Sequence, residues 1–219
     1  MFGNNPKLPF EKGDGIYLKV HSIFETIQGE GPYSGYQAIF IRLSGCNLAC
    51  EFCDTEFDEY SILEIHDILK KIKSFEQTNP LIVITGGEPF RQNISQLCKL
   101  LIINNFKIQI ETNGTLYTDI PKEVELVCSP KPSNDKYHMI RHDILKQTIA
   151  IKFLISSNIK PYSDISEVGQ KEYSIPVYIQ SMDEYNKAIN QDNLILAQKI
   201  AKKYNAILSL QIHKILNID

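Results

Sequence analysis

Short apolar runs alternate with longer amphipathic stretches along most of this chain of 219 residues. The apolar runs are rich in Ile, Val, Leu and Phe, a composition typical of strands that are buried on both faces of a sheet. Seven runs fit this description: 38–43, 81–85, 107–112, 124–129, 150–156, 176–181 and 206–212. Continuous runs of this kind predict a parallel sheet.

Three stretches between these runs have the apolar spacing of helices. Ser61 and Glu64 have the pattern of a capping box, and a helical stripe accompanies them at Ile62, Ile65, Leu69 and Ile72. A second stripe consists of Ile94, Leu97 and Leu101, and the third stretch is 183–204. Strands that alternate with helices predict parallel βα units with right-handed connections. The expected fold is α/β, and about six core strands would make an incomplete TIM-like barrel.

The first fifteen residues have a different composition from the rest of the chain. They combine prolines and glycines with few periodic apolar positions, which predicts a loose leader over 1–15 followed by a single domain over 16–219. They lack the charged and apolar regions of a signal peptide, and no apolar run of the chain approaches the length of a membrane span. We therefore expect a cytoplasmic protein with no membrane attachment.

Composition and charge narrow the class of partner. The chain is 43% hydrophobic, as in ordinary globular proteins, and its 23 basic and 26 acidic residues give a net charge of −3. This balance offers no basic surface for nucleic acid or anionic lipid, and it favours a small-molecule substrate. Five cysteines, an odd number, indicate a reducing compartment. Cys98 and Cys128 lie in apolar segments and are predicted to be core residues.

Polar motifs follow most of the predicted strands. In chain order they are GCNLACEFCDT, GGEP (86–89), ETNG (111–114), SPK (129–131), QSMDE (180–184), and the pair His213 and Lys214. Loops at the carboxyl ends of parallel strands build the active sites of such folds. We therefore expect these motifs to meet at one mouth of the barrel.

The first of these motifs places Cys46, Cys50 and Cys53 at C-x3-C-x2-C spacing. A structural zinc site usually has four protein ligands, and a cubane cluster usually has four thiolates. Three cysteines with no fourth cysteine or histidine nearby predict a 4Fe-4S cluster with one iron free for another ligand. A zinc site with a remote ligand such as His21 or His66 is the alternative, which the lack of a second cysteine pair disfavours.

The cysteine motif, with the aromatic Phe52 before its third cysteine, resembles that of the radical S-adenosylmethionine (SAM) enzymes. The resemblance implies that SAM binds the free iron and is cleaved to methionine and a 5'-deoxyadenosyl radical. It also assigns the GGE motif to the methionyl amine of SAM. The cofactor-binding residues expected on this basis are Phe52, Asp54, Gly86, Gly87 and Glu88. Ser129, Pro130, Lys131 and Gln180 are further candidates, although a loop start and a strand end would explain them equally well.

A longer pattern narrows the resemblance. TIQGEG (26–31), G-x-x-A-x-F-I-R-L-x-G-C-N (35–47) and CDT (53–55) are similar to the opening of the 7-carboxy-7-deazaguanine synthase family of radical SAM enzymes. The similarity continues through TGGEP, ETNG and SPK to LQIHKILNI, and so covers nearly the whole chain beyond the leader. It implies conversion of 6-carboxy-5,6,7,8-tetrahydropterin to 7-carboxy-7-deazaguanine with loss of ammonia. It also implies Mg2+, a homodimer, and a flavodoxin- or ferredoxin-like electron donor.

The same resemblance suggests which residues bind the pterin. Amide and carboxylate groups suit its planar edge, and the guanidinium of Arg42 suits its carboxylate. The substrate-binding residues expected are Ile27, Gln28, Gly29, Glu30, Arg42, Thr85 and His213, and Thr55 is expected to bind Mg2+. Each also has a structural explanation: a turn at QGEG, a surface ion pair for Arg42, a helix cap for Thr55 and a structural role for His213. The rival enzyme is one that installs a glycyl radical on a partner protein, which would not require TIQGEG or Arg42.

Overall fold

A computed structural model describes residues 5–53, 55 and 59–218. The chain divides into two compact units. The first unit consists of Met1–Gln28, Tyr36–Thr112 and Leu116–Glu125, and the second of Gly29–Gly35, Asn113–Thr115 and Leu126–Asp219. The prediction of a single domain after the leader stays a prediction.

The first unit contains strands β1 (Tyr17–Ile27), β2 (Gln37–Leu43), β3 (Ser61–Glu64), β4 (Leu81–Gly86) and β5 (Lys107–Thr112). They are hydrogen-bonded in the order β3-β1-β2-β4-β5. The pairs β2-β4 and β4-β5 are parallel, whereas β1 runs antiparallel to both of its neighbours. All five residues from Leu81 to Thr85 are buried, so the continuous apolar run was correctly interpreted as a strand covered on both faces.

The helices of the first unit are α1 (Ile65–Lys73) and α2 (Ser95–Ile103). The predicted capping box at Ser61 and Glu64 is wrong. Both residues belong to β3, which pairs with β1, and the Glu64 side chain forms no capping hydrogen bond with the backbone of α1. Pairing with β1, a strand that the apolar pattern did not reveal, satisfies the backbone here and overrides the local helix signal. Ile62 consequently lies 64% exposed on the strand instead of in the helical stripe.

The second unit contains four parallel strands in the order β6-β7-β8-β9. They are β6 (Glu125–Cys128), β7 (Thr148–Ile155), β8 (Val177–Ser181) and β9 (Ile207–Ser209), and the helices are α3 (His142–Leu145), α4 (Lys187–Tyr204) and α5 (Ile212–Leu216). Helix α4 begins four residues later than predicted, because the Asn186 side chain accepts hydrogen bonds from the backbone N–H groups of Ala188 and Ile189.

The last predicted strand is shorter than expected. It ends at Ser209, and His213 lies on α5 instead of at a strand end. The backbone N–H of Ile212 donates to the carbonyl of Gly29, which directs the chain out of the strand and into this short helix. All seven apolar runs nevertheless contain a strand. Of the helices in the described part of the chain, none combines the length and the apolar character that a bilayer crossing requires.

Candidate active site

The cysteine loop of the first unit directly follows β2. Cys46, Cys50 and Cys53 form no disulfide within the described residues and are partly exposed, and the N–H of Cys53 donates to the carbonyl of Cys50. Burial raises the pKa of the Cys46 thiol to about 11, and the negative charges of Glu88 and the other two cysteines add to this effect. The backbone N–H of Leu48, which donates to the Cys46 sulfur at 3.4 Å, acts in the opposite direction. A bound metal cation would lower the pKa of this thiol, because metal binding favours the thiolate.

The chemistry of this loop fits an iron-sulfur cluster. It offers three sulfur donors, and N–H groups point at two of them, from Leu48 and from the side chain of Asn5. Hydrogen bonds of this kind are among the features that tune iron-sulfur centres. Among the described residues, no group of three or more His, Cys, Asp or Glu side chains is arranged to hold a single metal ion.

The GGEP motif at the end of β4 packs directly against the cysteine loop. The N–H of Gly87 donates to the carbonyl of Leu43, and that of Glu88 to the carbonyl of Gly45, at 3.2 and 3.0 Å. A Cβ atom on Gly86 or Gly87 would lie less than 3.0 Å from these same backbone segments. Gly86 also has a φ of 147°, which disfavours any residue with a side chain. Close approach of two backbones therefore explains both glycines.

Glu88 lies fully buried beneath this contact. Its Oε1 accepts hydrogen bonds from the N–H of Phe90 at 3.1 Å and from the hydroxyl of Thr112 at 2.7 Å. Thr112 is the last residue of β5 and part of the ETNG motif, so the ends of two neighbouring strands fix the carboxylate. Sequence reasoning singled out Glu88 but missed Thr112 as the residue that orients it.

Arg42 and Thr55, predicted to bind substrate and Mg2+, lie side by side. Arg42 Nη1 donates to Thr55 Oγ1 at 3.2 Å, and the guanidinium stands 5.8 Å from the centre of the Phe24 ring. Thr85 is Arg42's partner in the pairing of β2 with β4. The structure therefore brings these three predicted residues together in the first unit.

Gln28 is a further predicted residue with a defined side-chain partner in the first unit. Its side chain is 1% exposed, and Nε2 donates to Glu111 Oε1 at 3.1 Å. Gln109 donates to the same oxygen at 3.2 Å. The sequence interpretation included Glu111 in the ETNG motif but did not foresee the amide pair that holds its carboxylate. Ile27, the last residue of β1, pairs with Gln37 in β2.

A polar cluster in the second unit surrounds Glu30. We call it the Glu30 cluster, and it consists of Glu30, Lys152, Gln180, Ser209 and Gln211. Glu30 forms an ion pair with Lys152, which is only 6% exposed, and accepts a hydrogen bond from Gln211 Nε2 at 2.8 Å. Gln180 also hydrogen-bonds to Glu30, and Ser209 donates to Gln180 at 3.1 Å. The cluster joins Glu30 to β7, β8 and β9 within the second unit.

The pKa of Glu30 lies well below its ordinary value. Burial alone would raise it, but the charge and hydrogen bond of Lys152, together with the two glutamine amides, lower it to about 2. The folded state therefore favours the carboxylate. The stability that this interaction contributes is fully present above the ordinary pKa of a glutamate, near 4.5, and is lost as the pH falls toward 2.

The Glu30 cluster also unites residues that the sequence interpretation assigned to different ligands. Glu30 was predicted to bind the pterin and Gln180 to bind SAM, yet their side chains are in direct contact. Lys152 and Gln211 were missed. One signal for Lys152 was present, because a lysine inside the apolar run AIKFLIS rarely lies buried without a carboxylate partner.

The remaining predicted residues have local partners. In the second unit, Lys131 Nζ donates to both the carbonyl and the hydroxyl of Ser129 at 2.7 Å, across Pro130. The ring of His213 packs against Gly29, where a Cβ would lie less than 3.0 Å from it. Phe52 lies partly exposed in the cysteine loop, and Asp54 falls outside the described residues.

Comparison with known proteins defines the class to which this fold and site belong. Residues 40–139 match the model of the radical SAM superfamily, so the cysteine loop and GGEP both lie within the matched region. The chain is 55% identical to a 7-carboxy-7-deazaguanine synthase from Rickettsia prowazekii, over 100% of this chain and 96% of that protein. It is 35% identical to one from Rhodospirillum rubrum, over the full length of both.

A solved structure agrees with these relatives. The crystal structure of QueE from Escherichia coli superposes with a TM-score of 0.74 and 26% identity, over 89% of this chain and 94% of that one. The chain belongs to the 7-carboxy-7-deazaguanine synthase family of radical SAM enzymes.

Several predictions from the sequence are thereby decided. The fold class is confirmed as the radical SAM fold, an α/β architecture whose strands are mostly parallel. Membership implies a 4Fe-4S cluster and SAM as cofactors. The findings do not favour the activating enzyme as an alternative.

Proposed function

We propose that this chain converts 6-carboxy-5,6,7,8-tetrahydropterin to 7-carboxy-7-deazaguanine with loss of ammonia, within 7-deazapurine biosynthesis of the queuosine type. The observation that carries the proposal is the 55% identity to a curated synthase over the whole chain. The packing of GGEP against the cysteine loop supports it, since the reaction needs SAM beside the cluster.

Cys46, Cys50 and Cys53 would hold the cluster, which when bound supplies the electron that cleaves SAM to methionine and an adenosyl radical. Glu88 would accept a hydrogen bond from the methionyl amine. Its carboxylate is suited to this role because Thr112 and the N–H of Phe90 already fix its orientation. An acceptor that is already held in position loses little conformational entropy when its ligand binds.

Other residues would complete the SAM site. Lys131, held over the Ser129 hydroxyl, offers a cation suited to a carboxylate. Gln180 offers an amide that Ser209 and Glu30 already hold in place. We assign these side chains, together with Phe52, Asp54 and Pro130, to SAM binding.

Arg42 would bind the pterin carboxylate, because its guanidinium is a planar, permanently charged donor. Thr55, hydrogen-bonded to Arg42, would contribute its hydroxyl to Mg2+, which prefers oxygen ligands. Gln28 and Glu30 would meet the polar edge of the pterin ring. Ile27, Gly29, Thr85 and His213 are assigned to the same substrate.

We further infer a homodimer and a flavodoxin- or ferredoxin-like electron donor. Both inferences rest on family resemblance, as does Mg2+. A cytoplasmic location follows from the reducing conditions that five cysteines, an odd number, indicate.

The test is anaerobic turnover. Reconstituted protein is incubated with 6-carboxytetrahydropterin, SAM and a reductant, and the product is identified by mass spectrometry. We expect 7-carboxy-7-deazaguanine to form only when all components are present. A protein that cleaves SAM but leaves the pterin unchanged would contradict the proposal.

Arg42→Lys sharpens the test of substrate binding. Lysine keeps the charge but loses the planar fork, so the KM for the pterin should rise about tenfold, a change equivalent to one charge-assisted hydrogen bond. The cluster content should be unchanged. An unaltered KM would remove Arg42 from the substrate site.

A further inference from the structure

The N-terminal segment 5–11, predicted to be part of a loose leader, is attached to the cysteine loop. Lys7 forms a parallel bridge with Cys46, and the backbone N–H of Leu8 donates to the carbonyl of Cys46 at 2.8 Å. Backbone hydrogen bonds of this kind hold the first cysteine against an extended strand-like segment.

The side chain of Asn5 reaches the third cysteine. It is 8% exposed, and its Nδ2 lies 3.6 Å from Cys53 Sγ and 2.9 Å from the carbonyl of Thr55. An amide donor that is buried against a sulfur adds positive partial charge where a thiolate would stand. The segment therefore contacts both ends of the cysteine motif, through its backbone at Cys46 and through a side chain at Cys53.

Arg91, just after GGEP, anchors the far end of the segment. Its side chain is 1% exposed, and Nη1 donates to Glu11 Oε1 and to the carbonyl of Pro9 at 2.8 and 3.1 Å. Nη2 donates to the carbonyl of Ser44 at 3.2 Å, and a Cβ on Gly45 would lie within 2.7 Å of the guanidinium. One buried cation thus holds the N-terminal segment and the start of the cysteine loop together.

Electrostatics favour the charged form of Glu11, the acidic partner of Arg91. Burial acts to raise the pKa of Glu11, but hydrogen bonds from Lys19 and Arg91 outweigh it, and the pKa lies below its ordinary value. The guanidinium of Arg91 is buried and Glu11 is only partly exposed, so loss of Glu11 would leave a buried charge without its carboxylate partner. The segment is therefore a fixed part of the first unit.

We propose that the 5–11 segment completes the environment of the cluster, with Asn5 as a positioning residue that donates a hydrogen bond to the Cys53 thiolate. A donor to a cluster sulfur stabilises the reduced, more negative form and so raises the reduction potential. The same contacts hold the loop closed and slow the loss of iron. The inference rests on the cluster of the proposed function but not on its pterin chemistry.

The experiment compares Asn5→Ala and Asn5→Asp with the unmodified, anaerobically reconstituted protein. The matched control is Asn93→Ala, because Asn93 Nδ2 also holds the leader, through the carbonyl of Gly13, and has no sulfur among its hydrogen-bond partners. The readouts are the midpoint potential, from a redox titration followed by electron paramagnetic resonance (EPR), and the rate at which a chelator removes iron. Neither readout requires substrate.

We expect a more negative midpoint potential in Asn5→Ala and a larger negative shift in Asn5→Asp, which also places a carboxylate beside the thiolate. Iron should be lost about tenfold faster in both variants, as when the hydrogen-bond partner of a metal ligand is removed. Asn93→Ala should match the unmodified protein in both readouts. Equal potentials in all four proteins, or an equal shift in Asn93→Ala, would overturn the proposal. If the Asn5 variants show the expected shifts in midpoint potential but the unmodified protein does not convert the pterin, only the proposed function is contradicted.

Discussion

The cysteine loop of the first unit and the Glu30 cluster of the second unit are assembled in opposite ways. The three cysteines lie within eight consecutive residues. Glu30, in contrast, meets Lys152 across 122 positions of sequence and Gln211 across 181. A site of the first kind can be recognised before any fold is known, whereas a site of the second kind exists only once strands from distant parts of the chain have paired.

The two regions also differ in how their charges are balanced. The negative charge of Glu30 is balanced within the fold by Lys152, and the pKa of Glu30 is lowered. The pKa of Cys46 is raised instead, so its thiolate becomes favourable only with a bound cation. We therefore expect changes in the cysteine loop to act on cofactor content, and changes that unpair Glu30 and Lys152 to act on stability in addition to the ligand binding proposed for this cluster.

The largest effect is expected for Cys46→Ala. Loss of one of three thiolates removes a ligand that nothing in the motif replaces, and both iron content and turnover should fall to background. Cys98→Ala is the control, since Cys98 is fully buried in α2. It should keep its iron and lose about 1 kcal/mol of stability. Equal iron in the two variants, measured after reconstitution, would show that the loop does not bind the cluster.

Glu30→Gln should destabilise the protein by about 3–5 kcal/mol, because Lys152 stays buried without its charge partner. The amide keeps a hydrogen-bonding group for Gln211. Unfolding in urea measures the free energy, and Lys152→Met should cost a similar amount.

The double variant Glu30→Gln with Lys152→Met serves as the control for this pair. Removal of both charges should restore a large part of the lost stability. Additive losses in the double variant would mean that the two side chains do not interact, and the comparison between the two regions would fail.

Gly87→Ala tests the close approach between GGEP and the cysteine loop. The added methyl would collide with Gly45, and overpacking of this kind typically costs about 1–3 kcal/mol. Binding of SAM to the reconstituted protein, measured by titration, should weaken at the same time. Gly13→Ala is the control, since a Cβ there meets nothing within 4 Å. A Gly87→Ala variant that binds SAM as tightly as the control would refute the packing argument.

The smallest effect is expected for Ser61→Ala. If Ser61 were an N-cap residue, its replacement by alanine would lower the free energy of unfolding by about 1 kcal/mol. Ser61 lies in β3 and is exposed, so we expect a change of less than about 0.5 kcal/mol in the free energy of unfolding. A larger loss in thermal or chemical unfolding would indicate that the capping box forms after all.

The sequence was informative wherever a signal was local. Apolar runs revealed the parallel strands, and the cysteine spacing and GGEP indicated the radical SAM class that the comparisons confirm. Strands β1 and β3 were missed because antiparallel pairing satisfies their backbone without a continuous apolar run. Ser61 and Glu64 show how such pairing overrides a helix signal.

Partners brought together by the fold could not be predicted in the same way. Thr112 beside Glu88, Lys152 beside Glu30 and Asn5 beside Cys53 are each separated by more than twenty positions in sequence. A buried polar residue predicts that some partner exists but does not identify it. The N-terminal leader shows this most clearly. Its sequence predicts a loose segment, whereas in the structure Arg91 holds it through a hydrogen bond to Glu11.

The most direct test of the account is EPR spectroscopy of the anaerobically reconstituted and reduced protein, recorded with and without SAM. A cubane held by Cys46, Cys50 and Cys53 alone should give a reduced 4Fe-4S signal that changes shape when SAM binds the open iron. A signal that SAM leaves unchanged, or a protein that contains zinc and no iron, would contradict the account.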